Sequence, residues 1–388
     1  MAGIYLHIPF CRKACHYCDF HFSTSLALKE KMLWAMKKEL QLRAEYIPNE
    51  SIHTIYFGGG TPSVLSRDEL MPLFDAMNSL FSIDANAEIT LEANPDDLNA
   101  STLAELKDTP VNRMSIGIQS FRDEDLILMN RSHSSRQAES AVKRSQDAGF
   151  HNLTVDLIYG IPGLDMTSWK HNLDLIFELN VPHFSAYCLT IEEKTAFAQF
   201  VRKGIIRPVP DQVSSEQFLL MSEWAVEQGF EHYEVSNFAK PGMRSRHNSA
   251  YWSGEAYIGI GPSAHSFDGR SRQWNVSNNH GYVRSLESND FAPVVEFLTP
   301  LEQLNEYIMT GMRTSEGIDM GTIQERFHFD FYGTYKSEIE RLVENGKAIC
   351  GDGILALTAK GFLFADRVAS DFFVLGGNET GELNERYN

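Results

Sequence analysis

The sequence predicts an α/β protein: a partial parallel β/α barrel followed by a helical, winged-helix-like domain. Three observations carry that expectation. Through the first half, short apolar runs alternate with amphipathic stretches, the rhythm of strand–helix units that build a parallel sheet through right-handed crossovers. Polar residues recur late in the strand-like runs, just before turns, where barrels of this kind place their sites. Near residue 299 the pattern changes to helices around a short hairpin.

The strand-like runs fall at residues 4–8, 54–57, 88–93, 113–119, 153–158 and 183–189. Between the first two, residues 28–44 place Leu28, Met32, Met36 and Leu40 on one helical face. Six such strands suit a partial barrel better than a complete one. Residues 208–257 read as mainly helical, and the Gly/Ser/Asn-rich stretch GIGPSAHSFDGRSRQWNVSNN reads as irregular backbone that covers a site. LTPLEQLNEYIMTGMR then opens as a capped helix, and residues 337–373 follow as helix, hairpin and helix, an order that resembles a winged helix. That segment lacks a dense basic recognition helix, which favours a structural or protein-contact role. The tail GGNETGELNERYN is polar and expected to fray. The division expected is a core barrel over 1–235, a connecting segment over 236–298 and a C-terminal domain over 299–388.

The 388 residues, 43% hydrophobic and 22% charged, describe a folded globular chain of about two domains. Lys and Arg number 34 against 52 Asp and Glu, a net charge of -18 that denies the chain the basic footprint of a general nucleic-acid binder. No basic leader precedes a cleavage site, and no apolar run approaches the roughly 18 residues of a spanning helix, so a cytoplasmic location is expected. Three of the five cysteines, Cys11, Cys15 and Cys18, fall within eight residues. In a reducing compartment such a cluster points to metal before disulfide.

The C-x3-C-x2-C loop directly after the first strand suits soft iron: three thiolates on a four-iron cluster leave one iron open to an exchangeable ligand. A zinc site completed by His16, His21 or Asp19 is the alternative, although such sites more often use two separated pairs, and three core cysteines are the bland reading. YFGGGTPS ends the second strand with glycines that let a ligand approach the backbone. Without a Lys-Ser/Thr ending it is a poor nucleotide-triphosphate loop, and taken alone it equally describes a tight turn. Glu92, Gln119 and Asp156 are the polar residues late in their strands, where an unpartnered amide or carboxylate is costly and a ligand at the barrel mouth would satisfy all three.

In order, IYLHIPFCRKACHYCDF, YFGGGTPS, LEANPDD, SIGIQSF, NRSH and VDLIYGIPG resemble the radical S-adenosylmethionine (SAM) superfamily, in its oxygen-independent coproporphyrinogen dehydrogenase branch. The resemblance covers nearly the whole chain, and it gives the C-terminal segment the character of a HemN-like winged-helix domain. It implies that Cys11, Cys15 and Cys18 ligate a 4Fe-4S cluster whose open iron is chelated by SAM. It also implies that Tyr5, Tyr17, Gly59, Gly60, Thr61, Glu92, Gln119, Arg131, Asp156 and Ala186 contact SAM.

Within the branch two features depart from the dehydrogenases. Their motif carries a fourth cysteine two residues after the third, where this chain has Phe20, and their leading N-terminal segment has no counterpart here. Both departures resemble the sister group, the HemW-type heme chaperones. RHNSAYW is similar to that group's HNxxYW motif, which implies heme contact at His247, Asn248, Tyr251 and Trp252. An imidazole ligates heme iron, and Tyr and Trp offer flat apolar faces to a porphyrin. The bland reading is that His247 and Trp252 pack a domain junction. The expectation is a chaperone that binds heme and passes it to acceptor proteins, with a homodimer compatible with the sequence. The rivals are a coproporphyrinogen dehydrogenase of porphyrin biosynthesis and a radical SAM enzyme for another substrate. Met309, Met312 and the remaining histidines read as core or surface.

Overall fold

A computed structural model describes residues 2–47 and 50–375; the polar tail GGNETGELNERYN lies outside them. Six strands form the centre of a twelve-stranded sheet: β1 (Ala2–Ile8), β2 (Ser51–Gly59), β3 (Ser82–Ala93), β4 (Arg113–Gln119), β5 (Leu153–Tyr159) and β6 (His183–Cys188). Each pairs in parallel with the next. The helix Lys29–Leu42 connects β1 to the region before β2 and buries Met32, Met36 and Leu40.

Period-two alternation explains both faces of this sheet. Ile4, Leu6 and Ile8, then Ile55 and Phe57, then Leu91, Met114, Val155 and Phe184 are buried in the apolar core. The residues between them form a polar interior. There Tyr56 donates to Glu92, Arg113 to Thr154 and Ser115 to Asp156, Thr154 hydrogen-bonds with His183, and Thr54 with His247. Arg113 donates to Thr154 and lies 3.8 Å from Glu88, so the cation at the barrel's centre has a carboxylate partner.

The sheet continues beyond the six expected strands. β7 (Glu231–Glu234) and β8 (Asn237–Ala239) extend it antiparallel beside β6. On the other side β9 (Ala256–Ile260) joins β1 in parallel, and β10 (His265–Phe267), β11 (Ser271–Trp274) and β12 (Val294–Phe297) follow antiparallel. The mainly helical reading of 208–257 therefore holds only for the helices Asp211–Glu227 and Arg246–Trp252. The irregular reading of the Gly/Ser-rich stretch gives way to strands. Its composition has a packing cause: a Cβ on Gly259 would strike the carbonyl of His265, so glycine is what lets β9 and β10 approach. Strands of three to five residues also carry too little periodicity to be told from loop.

The C-terminal part runs helix Pro300–Gly311, β13 (Ile318–Asp319), helices Met320–Phe327 and Phe331–Glu344, then the hairpin β14 (Ala348–Gly351) and β15 (Ile354–Leu357). β13 pairs with β15, closing the small sheet of a winged-helix-like unit. Thr299 and Glu302 form the reciprocal cap expected at the first of these helices.

Candidate functional site: a thiol loop at the barrel mouth and a cavity beside it

Backbone hydrogen bonds lash the thiol loop to the ends of the strands. Gly60 N donates to Ile8 O at 2.9 Å, Thr61 N to Phe10 O at 2.7 Å and Cys11 N to Ser23 O at 3.0 Å. A Cβ on Gly60 would sit 2.7 Å from the Phe10 carbonyl, so only glycine allows this approach. Cys11, Cys15 and Cys18 are all partly exposed and free. Thr61 Oγ1 donates to Cys11 Sγ at 3.4 Å. Arg131 donates to Cys15 Sγ at 3.2 Å, to Asn94 Oδ1 at 2.7 Å and to Gly117 O at 2.5 Å. Burial pushes the Cys11 thiol up and the Cys18 thiol up to about 11. A soft cation would displace those protons on binding.

Among the described residues no three His, Cys, Asp or Glu side chains stand close enough to hold one metal ion. The chemistry of the donors, three free thiols on one loop with a guanidinium beside one of them, fits a thiolate-held iron–sulfur group.

The positions expected to contact SAM collect around the same mouth. Glu92 accepts from Tyr56 Oη at 2.8 Å and from Gly59 N at 3.2 Å; burial pushes its carboxyl up to about 7, helped by the charge of Asp156. Asp156 accepts from Ser115 Oγ at 3.1 Å, and burial raises it as well. Gln119 ends β4 with a left-handed φ of 73°, a strained conformation of the sort that clusters at functional sites. Tyr17 accepts from Arg131 at 3.4 Å, and Tyr5 hydrogen-bonds with His7 at 3.2 Å. Ala186 is buried on β6 and its N–H donates to Ser236 O. Asn94, which holds Arg131 and donates to Thr61 at 3.4 Å, joins the group although the sequence reading did not single it out. Its only signal was its place in LEANPDD.

The HNSAYW residues divide. The helix Arg246–Trp252, capped by Ser245, turns His247 into the barrel wall, where it is 2% exposed. Its Nδ1 hydrogen-bonds with Thr54 Oγ1 at 2.8 Å and its Nε2 with Tyr251 Oη at 3.0 Å. Its ring stacks 5.0 Å from that of Tyr56, and burial lowers its pKa to about 3. Both nitrogens are engaged in hydrogen bonds, and the neutral ring braces the wall. Asn248 is half-buried, its N–H donating to Ser245 Oγ. Tyr251 and Trp252, by contrast, line a cavity of about 1230 Å³.

That cavity starts at Tyr5, Gly59 and Glu92 and runs beneath the β9–β11 strands to the C-terminal helix Pro300–Gly311. Phe20, 71% exposed, stands on its rim where the dehydrogenases have a thiol. It exceeds the roughly 300–1,000 Å³ of ordinary small-molecule sites. Its far wall carries His265, Phe267 and Arg272, which the sequence reading missed because it took their strands for loop. No helix among the described residues is long and apolar enough to cross a membrane.

Comparison with known proteins agrees with this architecture. The radical SAM superfamily model matches residues 5–176, and the HemN C-terminal domain model matches residues 298–364. The solved structure of coproporphyrinogen III oxidase (HemN) from Escherichia coli superposes with a TM-score of 0.82 over 96% of this chain and 90% of that one, at 22% identity, and so shares the fold. Thiol loop, parallel barrel and superfamily match together define a radical SAM protein. Among curated proteins, the heme chaperone HemW of Bacillus subtilis is 33% identical over 376 residues, 96% of this chain and 99% of that protein. HemW of Escherichia coli is 36% identical over 270 residues, 68% of this chain and 69% of that one. The chain belongs to the HemW family.

Proposed function

We propose that this protein is a heme chaperone of the cytoplasm: it takes up heme and hands it to acceptor proteins, with a 4Fe-4S cluster and SAM as structural or regulatory cofactors. The observation that carries the reading is the end-to-end relation to proteins named heme chaperones, 33% identical over 96% of this chain. Phe20 supports it from within the site, since an exposed phenyl ring replaces the thiol that marks the dehydrogenases. The cavity supports it further, being large, walled by the aromatic faces of Tyr251, Trp252 and Phe267, and edged by Arg272 and Arg326, whose guanidiniums suit the two carboxylates of a heme.

Cys11, Cys15 and Cys18 would hold the cluster. When bound, the cluster supplies an iron without a protein ligand at which SAM attaches. Arg131 donates to the Cys15 sulfur and is itself held by Asn94 and Gly117, which fixes the guanidinium beside the thiol loop. Glu92, Gln119 and Asp156 offer acceptors toward SAM, and Gly59, Gly60 and Thr61 offer close backbone. His247 positions Tyr251 through its hydroxyl.

One sample tests the reading: reconstitute the cluster anaerobically, then measure heme uptake, SAM cleavage and coproporphyrinogen turnover. Heme uptake near one per chain without turnover is expected. Turnover of coproporphyrinogen would move the protein to the enzyme reading.

A further inference from the structure

The three sulfurs of the thiol loop differ in what serves them. Cys18 is served by the backbone N–H of Phe20. Cys11 Sγ accepts from Thr61 Oγ1 at 3.4 Å, and Cys15 Sγ accepts from Arg131 Nη1 at 3.2 Å. Both of those donors lead to one side chain. Asn94 Nδ2 donates to Thr61 Oγ1 at 3.4 Å, and Asn94 Oδ1 accepts from Arg131 Nη2 at 2.7 Å.

The chemistry of the two partners requires an amide between them. A hydroxyl has a single hydrogen, so a Thr61 that donates to Cys11 needs a donor on its other side. A guanidinium only donates, so Arg131 needs an acceptor. Asn94 supplies one of each, and its place is fixed from behind. It follows directly on β3, and its N–H donates to Ser63 Oγ at 3.2 Å. Ser63 Oγ in turn donates to the buried Asp97 at 2.8 Å, whose other oxygen accepts from Nε of Arg12, the residue after Cys11, at 2.8 Å. Arg131 Nη2 also donates to Gly117 O, so without Asn94 the guanidinium keeps one hold and can turn about it.

We propose that Asn94 is a positioning residue for the iron–sulfur group: through Thr61 and Arg131 it aims a hydrogen-bond donor at each of two thiolates and so sets the group's reduction potential. The inference rests on the reading of Cys11, Cys15 and Cys18 as the ligands. Donors aimed at sulfur stabilise the reduced form, which carries one more negative charge, so losing them lowers the potential. Asn94→Ala removes both holds. Asn94→Asp keeps the shape and the acceptor for Arg131, but its second oxygen draws the Thr61 hydrogen away from Cys11 and adds a negative charge.

The test is a redox titration of the full chain, reconstituted anaerobically without SAM and followed by absorption and electron paramagnetic resonance. Iron and sulfide analysis verifies loading, and circular dichroism verifies folding. Wild type is compared with Asn94→Ala, Asn94→Asp, Thr61→Val, the double variant Thr61→Val/Asn94→Ala, and Asn99→Ala, which removes the cap of the helix Ala100–Lys107. Both Asn94 variants should disfavour reduction about 10-fold or more, which for one electron is about 59 mV downward. The double variant should shift less than the sum of its two single changes, because Asn94 acts in part through Thr61. Asn99→Ala should keep the wild-type potential. An unchanged or raised potential in the loaded, folded Asn94 variants overturns the inference and leaves the ligand set and the chaperone reading standing. Strictly additive shifts, or an equal drop in Asn99→Ala, also overturn it. A wild type that takes up no cluster removes the ligand set, and the inference with it.

Discussion

Replacing His247 by Gln separates a buried neutral strut from an available ligand through its acid titration. The imidazole is 2% exposed, and burial lowers its pKa from 6.5 to about 3. For such a base the unfolded chain takes up a proton first. Its contribution is therefore present above pH 6.5 and is lost as pH falls from 6.5 toward about 3. Between about pH 7.5 and about pH 5.5 the unfolded ring gains nearly one proton and the folded ring none, which amounts to about 1.3 kcal/mol. Gln does not titrate and reaches only some of the contacts to Thr54 and Tyr251, so the variant should be less stable near neutrality by about 1–3 kcal/mol. The gap between wild type and His247→Gln should then narrow by about 1.3 kcal/mol on acidification. His7 and His133, both lowered by burial to about 4, and the raised carboxyls of Glu92 and Asp156 also bend the profile. They are present in both proteins and cancel in the difference. Urea unfolding followed by circular dichroism across this pH range reads the gap directly. Parallel stability profiles would show that the folded ring takes up protons freely, and the strut would be refuted.

Cys15→Ser should abolish most iron–sulfur absorbance after reconstitution, whereas Cys188→Ser and Cys350→Ser should leave it intact; loss of the cluster in either distal variant, or zinc in the wild type, contradicts the ligand set. Asp156→Ala should weaken SAM binding in a folded barrel, because its oxygens face the polar interior with Ser115 as a partner; calorimetry that finds equal affinity removes it from the SAM site. Arg131→Lys should lower SAM affinity about 10-fold or more while keeping the charge, since one ammonium cannot span Cys15, Asn94 and Gly117 as the planar fork does; wild-type affinity in a folded, cluster-loaded Arg131→Lys protein would show that charge alone suffices there.

The barrel was legible because burial imposes period-two alternation on long strands. The run Glu92, Gln119, Asp156 announced the mouth because buried polar groups need partners, and the structure gathers two of them around Tyr56 and Ser115. What escaped was non-local. β10 and β11 have three and four residues, and Gly259 of the adjoining β9 is explained only by the carbonyl of His265 on β10. His265 and Arg272 were therefore hidden inside a stretch taken for loop. The partners of His247 were hidden as well, because a sequence shows an imidazole's chemistry but not its hydrogen bonds to Thr54 and Tyr251.

The barrel mouth and the cavity share one wall, and that governs how substitutions in it are to be interpreted. Glu92 accepts from Tyr56, Tyr56 stacks on His247, and His247 holds Tyr251, which faces the cavity. Removing any member unsettles its neighbours on both sides, because each is buried and each polar atom depends on the next. A loss of heme affinity in His247→Ala alone would thus be equally explained by a displaced Tyr251 and by a lost iron bond.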